Sequence, residues 1–171
     1  MAGEVTAKKV KRSDFATFLN VGTGTSESWK RMGKGITSQK ISYNPQTETE
    51  QYIDEESGTT FVDSYAPTMD GSQTAYAGDP VFDYVDGLRQ RRVVGAESET
   101  DVLLVYIYDN EGTEYAAEKQ RVSIQIDEFG GDASGANVIG YTLNFIGKAK
   151  RGVATVSTIS GDTTVSFSES E

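Results

Sequence analysis

The stretch VLLVYIY, residues 102–108, decides the fold class. It is apolar on both faces of an extended chain, so it predicts a central strand that is covered on both sides. Before and after it, polar and apolar residues alternate with the period of two that is typical of strands. The alternating stretches are 15–21, 36–43, 68–76, 115–117, 121–127, 138–146, 153–159 and 164–167. Together they predict an all-β sandwich or barrel with about eight or more strands.

One α-helix is predicted to flank the sheet. Asp79 is a good N-cap, and Pro80 follows at the first helical position, where its missing N–H costs nothing. Gly95 is predicted to close this helix. The residues that fall on its apolar face are Val81, Val85 and Leu88. The cations that crowd its end, and that complement the helix dipole or else bind a phosphate or a protein partner, are Arg89, Arg91 and Arg92.

The composition of the 171 residues excludes several kinds of chemistry. The chain has no histidine and no cysteine, which excludes disulfides, thiolate catalysis and histidine-dependent triads. It has 26 acidic and 16 basic residues, a net charge of −10, so binding of DNA through phosphate neutralisation is not expected. No apolar run approaches the roughly 18 residues of a membrane span. We expect no enzyme activity, no cofactor, no metal and no membrane partner, although paired carboxylates stay open as an alternative.

Charge divides the chain into a basic arm and an acidic remainder. Residues 1–14 are predicted to be a basic N-terminal arm, and residues 15–171 a single β domain. Within that domain, residues 44–65 are rich in acids and are expected to form an exposed excursion. The segments 51–53 and 60–62 flank Glu55, Glu56, Ser57 and Gly58, which read as the tip of a hairpin. Both charged segments could equally be ordinary solvated surface.

Three segments are similar in order and spacing to those of a known family. The first is WKRMGKGI (29–36), which leads to SYNP (42–45) and QYIDE (51–55). The second is GDPVFDYV (78–85), and the third is GYTLNF (140–145), with Gly147 and Gly152 after it. In this order the chain resembles the major tail tube proteins of long-tailed, siphovirus-type bacteriophages. The resemblance extends over roughly residues 29–152.

The resemblance implies a structural protein of the virion, made in the cytoplasm of the bacterial host. Six copies would form a ring in which each contributes four strands to a shared 24-stranded inner barrel. Rings would stack around a tape-measure protein, with tail terminator and distal tail proteins at the two ends, and DNA would pass through without specific binding. Twenty-four strands about 4.8 Å apart and tilted about 40° give a bore of about 38 Å once side chains are allowed for, wider than a DNA duplex.

Two sets of residues are candidates for the functional surfaces. One face of several alternating strands is short and polar, which suits the wall of a DNA conduit or, equally, an ordinary solvent face. The candidates for the lumen are Asp70, Asp127, Ser38, Ser42, Thr74, Ser123, Thr142 and Asn144. Lys40 has the same strand parity and conflicts with such a wall. The candidates for contacts between rings are Lys8, Lys9, Lys11, Arg12, Tyr52, Ile53, Asp54, Glu55, Glu56 and Phe61. Lys30, Arg31 and Lys34 compete with the arm as partners of the acids.

Other functions fit the same sequence. A solitary β-sandwich that binds carbohydrate or a cell surface would use exposed aromatic residues, and Trp29, Tyr52, Tyr65 and Tyr76 could serve. A head-decoration or tail-terminator protein would share the structural role. Rings or tubes of the purified chain would favour the tube, and a strict monomer would favour the binding module.

Overall fold

The computed structural model describes residues 6–159 and 162–170, which are mostly strand. The one α-helix described, α1, spans Pro80–Arg91. The strands are β1 Phe15–Asn20, β2 Trp29–Arg31, β3 Ile41–Ser42, β4 Pro45–Glu50, β5 Thr59–Tyr65, β6 Thr68–Thr74, β7 Glu99–Glu111, β8 Glu114–Gly130, β9 Val138–Ile159 and β10 Asp162–Glu169. The prediction of a strand-rich fold with a flanking helix is confirmed.

Eight strands form one sheet, and β4 and β5 form a separate hairpin. The order in the large sheet is β2-β1-β7-β8-β9-β6-β3, with β10 also paired to β9. Strand β1 pairs antiparallel with β2 and β7, and β6 pairs antiparallel with β3 and β9. The stretch VLLVYIY lies within β7, between β1 and β8, as its apolar pattern predicts.

The described chain divides into two compact units. Unit 1 is formed by Met1–Met32, Asp101–Gln120 and Lys148–Glu171, as far as these are described. Its strands run in the order β2-β1-β7-β8-β9-β10, and β10 in turn contacts β2, so the unit closes on itself. The apolar side chains that fill it are Ala16, Phe18, Trp29, Leu103, Val105, Ala117 and Ala154.

Unit 2 is formed by Gly33–Thr100 and Arg121–Gly147. It holds α1, the β4–β5 hairpin, and a sheet in the order β8-β9-β6-β3. The buried apolar residues of this sheet are Met69, Val122, Ile124, Ile139, Tyr141 and Leu143. Those of the helix are Val81, Phe82, Val85 and Leu88, so the apolar face that the sequence predicts is the buried one.

Helix α1 is tied to the apolar face of this sheet at its N-terminus. The Asp79 carboxylate oxygen Oδ2 accepts one hydrogen bond from the Phe82 N–H at 3.0 Å and another from the Gln73 side-chain amide at 2.9 Å. Gln73 is fully buried on β6. Burial raises the pKa of the Tyr141 hydroxyl, and the charge of Asp79 raises it further. The predicted N-cap is therefore correct, and it also links the helix to β6.

The structure corrects four details of the predicted elements. The stretch 36–43 is not a continuous strand: Ile41 and Ser42 pair with β6 and Ile36 forms an isolated bridge with Gln73, but residues 37–40 between them are not strand. The preceding chain is held by other contacts: Gln73 donates to the Lys34 carbonyl, and Gly35 has a φ of +79°. The helix ends at Arg92, which adopts the left-handed conformation with a φ of +50°, rather than at Gly95. The remaining two corrections concern long strands. The stretches 115–117 and 121–127 are parts of β8, and 138–146 and 153–159 are parts of β9.

Candidate lumen surface and assembly surfaces

The sheet of unit 2 has one polar face, opposite the face that is buried. In β6, Met69, Gly71 and Gln73 are buried, whereas Asp70 and Ser72 between them are exposed. The register of β6 with β9 places Asp70 opposite Thr142 and Thr68 opposite Asn144. On the other side of β6, Ser42 of β3 lies opposite Thr68. Since paired residues of antiparallel strands share a face, these side chains form one continuous polar surface.

Hydrogen bonds extend this surface onto β8. The Thr142 hydroxyl donates to Asp127 Oδ2 at 2.7 Å, and the Gln125 side-chain amide donates to Asp127 Oδ1 at 2.6 Å. The Asn144 amide reaches Gln125 Oε1 at 3.4 Å. Asp127 therefore keeps both carboxylate oxygens engaged within the face, which fixes its position while leaving the charge exposed to water.

A third acid lies on the same face. Glu128 follows Asp127 directly, so strict alternation would place it on the apolar side. Instead its Cγ lies 2.7 Å from the position that a Cβ on Gly140 would occupy. Gly140 pairs with Ser72 and has the parity of Thr142, so it belongs to the polar face. The absence of a side chain at Gly140 thus makes room for the Glu128 side chain, which sequence alternation alone does not reveal.

Seven of the eight lumen candidates lie on the strands of this surface. Asp70, Asp127, Ser42, Thr142 and Asn144 are joined by register or hydrogen bonds, and Thr74 and Ser123 have the same parity on β6 and β8. Ser38 is exposed but lies outside any strand, so its predicted parity has no structural basis. The same holds for Lys40, which removes the conflict that its predicted position created. Whether the surface lines a bore stays a prediction.

The acidic excursion is a hairpin whose two strands are exposed along their whole length. Strands β4 and β5 pair from Pro45 with Tyr65 to Glu50 with Thr59. A hairpin is present as predicted, but its first strand is Pro45–Glu50, so the predicted strand over 51–53 is wrong and these residues lie in the connection. The residues between the strands are ordered by the Glu55 carboxylate, which accepts from the Tyr52 N–H at 3.3 Å. Within the described residues, Asp54 and Glu56 have no ion-pair partner.

Apolar side chains on this hairpin are also exposed. Tyr43 and Tyr65 meet edge to face, with ring centroids 6.5 Å apart, and with Pro45 and Val62 they line an open cleft. Tyr52 and Phe61 are partly exposed, and the Ile53 side chain at the tip is fully exposed. A two-stranded hairpin with both faces in water is marginally stable by itself, so these side chains are candidates for contact with another molecule.

The described part of the N-terminal arm is exposed and basic. Residues 6–11 have no regular structure, and a short 3-10 turn spans Arg12–Asp14. The Arg12 guanidinium donates to the Phe15 carbonyl and lies 5.2 Å from the Phe15 ring centroid. Lys8 and Lys9 make no contact of this kind within the described residues. Residues 1–5 lie outside them. Arg12 is thus held at the start of β1, and the lysines are free to meet another surface.

A cavity of about 590 Å³ lies at the C-terminal end of α1. Its apolar lining is Leu88, Val93, Val94, Ile124 and Ile126, and its polar lining includes Arg89, Arg92, Ser123, Gln125 and Asn144. Arg89 is fixed by an ion pair with Asp86 at 2.7 Å, and its guanidinium lies 4.0 Å from the Phe129 ring centroid. The sequence marks these arginines at the end of α1, but no local pattern indicates the apolar floor beside them.

Membrane-spanning helices and acidic metal clusters are both absent from the described residues. No helix among them is long and apolar enough to cross a membrane. No group of three or more acidic side chains in that part of the chain has the geometry to hold a metal ion.

The fold, in contrast to the sequence, has recognisable relatives. No protein-family model and no curated protein matches the chain. A solved structure of the SPP1 tail tube superposes with a TM-score of 0.65 at 15% identity, covering 84% of this chain and 78% of that one. The chain has the fold of a phage tail tube protein. The tail of an empty GTA particle, refined with C6 symmetry, superposes with a TM-score of 0.56 at 12% identity, covering 82% of this chain and 97% of the other. The tail-tube fold is thus shared although few residues are.

Proposed function

We propose that this chain is a structural protein whose copies assemble into hexameric rings, and that the rings stack into the tail tube of a long-tailed bacteriophage. The observation that carries the proposal is the polar face of unit 2 in a chain with the tail-tube fold. No catalytic role is proposed. The protein would act in the virion as a conduit for DNA during infection, after synthesis in the host cytoplasm.

The number of strands supports a hexamer. The sheet of unit 2 has four strands, β8, β9, β6 and β3, and each contributes to the polar face. Six copies would supply the 24 strands of the shared inner barrel. The six-fold symmetry used for the similar GTA tail is consistent with this number. Closure would also cover the sheet edges that a single copy leaves open.

The chemistry of the face suits passage rather than binding of DNA. Three of its exposed charges are acids, Asp70, Asp127 and Glu128, and most of its other side chains are hydroxyls and amides. The exception is Arg121, which has the parity of Ser123 on β8 and forms an ion pair with Glu99 at 3.4 Å. A lysine would pair with a phosphate and release a counterion, and many such contacts along a tube would retain the DNA. Acids repel the phosphates within a Debye length of about 8 Å, so water and screening ions fill the gap.

The remaining surfaces are assigned to assembly. The basic arm and the hairpin, with Tyr52, Ile53, Phe61 and the acids of the tip, would contact neighbouring rings. Such complementary charges on one chain suit head-to-tail association. A tape-measure protein inside the tube, and terminator and distal tail proteins at its ends, would be the further partners.

Electron microscopy of the purified chain tests the proposal. Negatively stained samples at increasing protein concentration should show six-fold rings, or tubes with a bore of about 38 Å as the strand geometry requires. A chain that stays strictly monomeric at all concentrations and salt levels would overturn the proposal. That outcome would favour a solitary binding module, with the Tyr43–Tyr65 cleft as its candidate carbohydrate site. Single rings that never stack would favour a terminator instead.

A further inference from the structure

Two oxygen atoms on the buried face of the unit 2 sheet have no hydrogen-bond partner among the described residues. They are the side-chain carbonyl oxygen Oε1 of Gln73, on β6, and the hydroxyl oxygen of Tyr141, on β9. Gln73 is fully buried and Tyr141 is 1% exposed, so bulk water reaches neither. We propose that these two residues bind one internal water molecule, which bridges the two oxygens beneath the N-terminus of α1.

Leaving both oxygens unpaired would be unfavourable. Folding removes their hydrogen bonds to bulk water, and a buried polar atom without a replacement destabilises the native state. In folded proteins such atoms are nearly always paired with protein groups or with ordered water. Gln73 Oε1 and the Tyr141 hydroxyl therefore need either each other or a third group.

The Gln73 amide is held in one orientation. Its nitrogen donates to the Lys34 carbonyl at 2.9 Å and to Asp79 Oδ2 at 2.9 Å, which uses both amide hydrogens. Because both partners are acceptors, exchanging the amide nitrogen and oxygen would bring oxygen against oxygen and lose both bonds. Oε1 is thus fixed in place as an acceptor that still lacks a donor.

The Tyr141 side chain is equally restricted. Its ring packs across Gly71, where a Cβ would lie 2.4 Å from a ring carbon, so the ring has little freedom to carry the hydroxyl elsewhere. Burial raises the pKa of this hydroxyl, and the charge of Asp79 raises it further. The hydroxyl therefore stays neutral and keeps a proton to donate.

The strand register brings the two side chains close together. Tyr141 lies opposite Gly71, and Gln73 lies opposite Ile139, so Gln73 and Tyr141 are diagonal neighbours on one face of the sheet. Long and aromatic side chains reach across such a diagonal, yet these two oxygens do not bond to each other. Two hydrogen bonds of about 2.8 Å each allow one water to bridge oxygens up to about 5.6 Å apart.

The chemistry of the site fits water better than other ligands. The water would accept from the Tyr141 hydroxyl and donate to Gln73 Oε1, and the Asp79 carboxylate would accept its second hydrogen. Three bonds are the usual number for a buried water. An apolar ligand would satisfy none of these groups, and a calcium ion would need six to eight oxygen ligands. The inference concerns a single subunit, so it holds or fails independently of the proposed assembly into tubes.

A crystal structure of the subunit, or an electron-microscopy map of its assembly, tests the site at a resolution that shows ordered water. We expect one density peak about 2.7–3.2 Å from both Gln73 Oε1 and the Tyr141 hydroxyl oxygen. A direct bond between the two side chains, or no peak between them, would overturn the proposal. A peak about 2.3–2.6 Å from several oxygens would overturn it in favour of a bound cation.

The variant Tyr141→Phe gives an independent test, because the sign of its effect depends on whether the hydroxyl is bonded. If it binds water, its loss should raise the equilibrium constant for unfolding by about threefold to tenfold. The matched control is Tyr84→Phe on α1, whose partly buried hydroxyl has no hydrogen bond within the described residues and whose loss should change the constant little. Denaturant unfolding measures both variants. A Tyr141→Phe chain as stable as the unaltered one, or more stable, would show that the hydroxyl is unpaired and would overturn the proposal.

Discussion

At the scale of single residues, the packing of the buried face of unit 2 depends on the missing side chain of Gly71. Gly71 lies opposite Tyr141, and a Cβ there would be 2.4 Å from the tyrosine ring. Because Tyr141 is fully buried, its ring has little room to move. We expect Gly71→Ala to lower the free energy of unfolding by about 1–3 kcal/mol. Thermal or denaturant unfolding measures this, with Gly33→Ala as control, since nothing lies within 4 Å of a Cβ at Gly33. Equal stability of the two variants would contradict the packing argument.

The Glu27 side chain gives unit 1 a small dependence on pH. Its carboxylate is paired with Lys119 and accepts from the Trp29 indole at 3.3 Å. The hydrogen bond from Lys119 is the main reason that the pKa of Glu27 lies below its ordinary value of 4.5. A lowered pKa stabilises the fold above pH 4.5, and this contribution disappears as the pH falls through the folded-state value.

We therefore expect Glu27→Gln to unfold at a slightly lower temperature than the unaltered chain at pH 7. The corresponding difference in the free energy of unfolding should be below about 1 kcal/mol, because the Glu27–Lys119 pair is partly exposed. It should shrink as the solution is acidified below pH 4.5. Glu114→Gln, a matched change at an exposed position, should show no such trend. A difference that stays constant down to pH 3 would contradict the ionic explanation.

At the scale of elements, the basic arm can be separated from the fold. Its described residues before Arg12 are exposed and have no regular structure. Removing residues 2–11 should therefore leave the unfolding temperature nearly unchanged but weaken stacking of rings, which microscopy and sedimentation measure. A second variant with Lys8, Lys9 and Lys11 changed to serine keeps the length of the arm and removes its charge. If both variants form tubes of normal length and salt resistance, the arm has no role in stacking.

The elements also show how far the sequence predicts this fold. Alternation predicts β6 and β10 well because each has one exposed face and one that is more buried. It divides β8 and β9 into pieces, since their middles lack apolar residues: pairing with neighbouring strands, which no local pattern records, keeps them continuous. It also predicts a strand over 36–43, where contacts of Gln73 with Lys34 instead fix the backbone.

The candidate surfaces were predicted to different extents. Parity places seven of the lumen candidates on the polar face of unit 2, because an exposed row on a strand is a local property. It missed Glu128, whose place depends on the missing side chain of Gly140 on the neighbouring strand. The cavity beside the arginines was missed for the same reason, since its lining comes from α1, the segment after it, β8 and β9.

At the scale of the whole molecule, reversing the charge of acids on the polar face tests whether that face lines the bore of the proposed tube. The double variant Asp70→Lys with Asp127→Lys places two cations on the face in each copy. Tubes should still form, because these side chains bond only within the face, whereas delivery of the genome should slow or stall as phosphates are retained. Particles carrying the variant can be assayed for DNA release.

A matched control changes Asp109 and Asp132 to lysine, two exposed acids outside the polar face. It alters the net charge equally, so it should release DNA at the normal rate. If the variants at positions 70 and 127 also release DNA normally, those acids do not face the bore.

The Asp79 carboxylate, which caps α1 and also holds Gln73, has a consequence for how unit 2 opens. One oxygen accepts from the helix and from β6, so fraying of the first helical turn also frees a buried amide on the strand. An unpaired buried amide is unfavourable, which penalises partial unfolding of the helix by itself. The helix and the strand are thereby joined into one cooperative folding unit. Thermal fluctuations are then less able to separate the helix from the sheet of unit 2 without also disturbing β6.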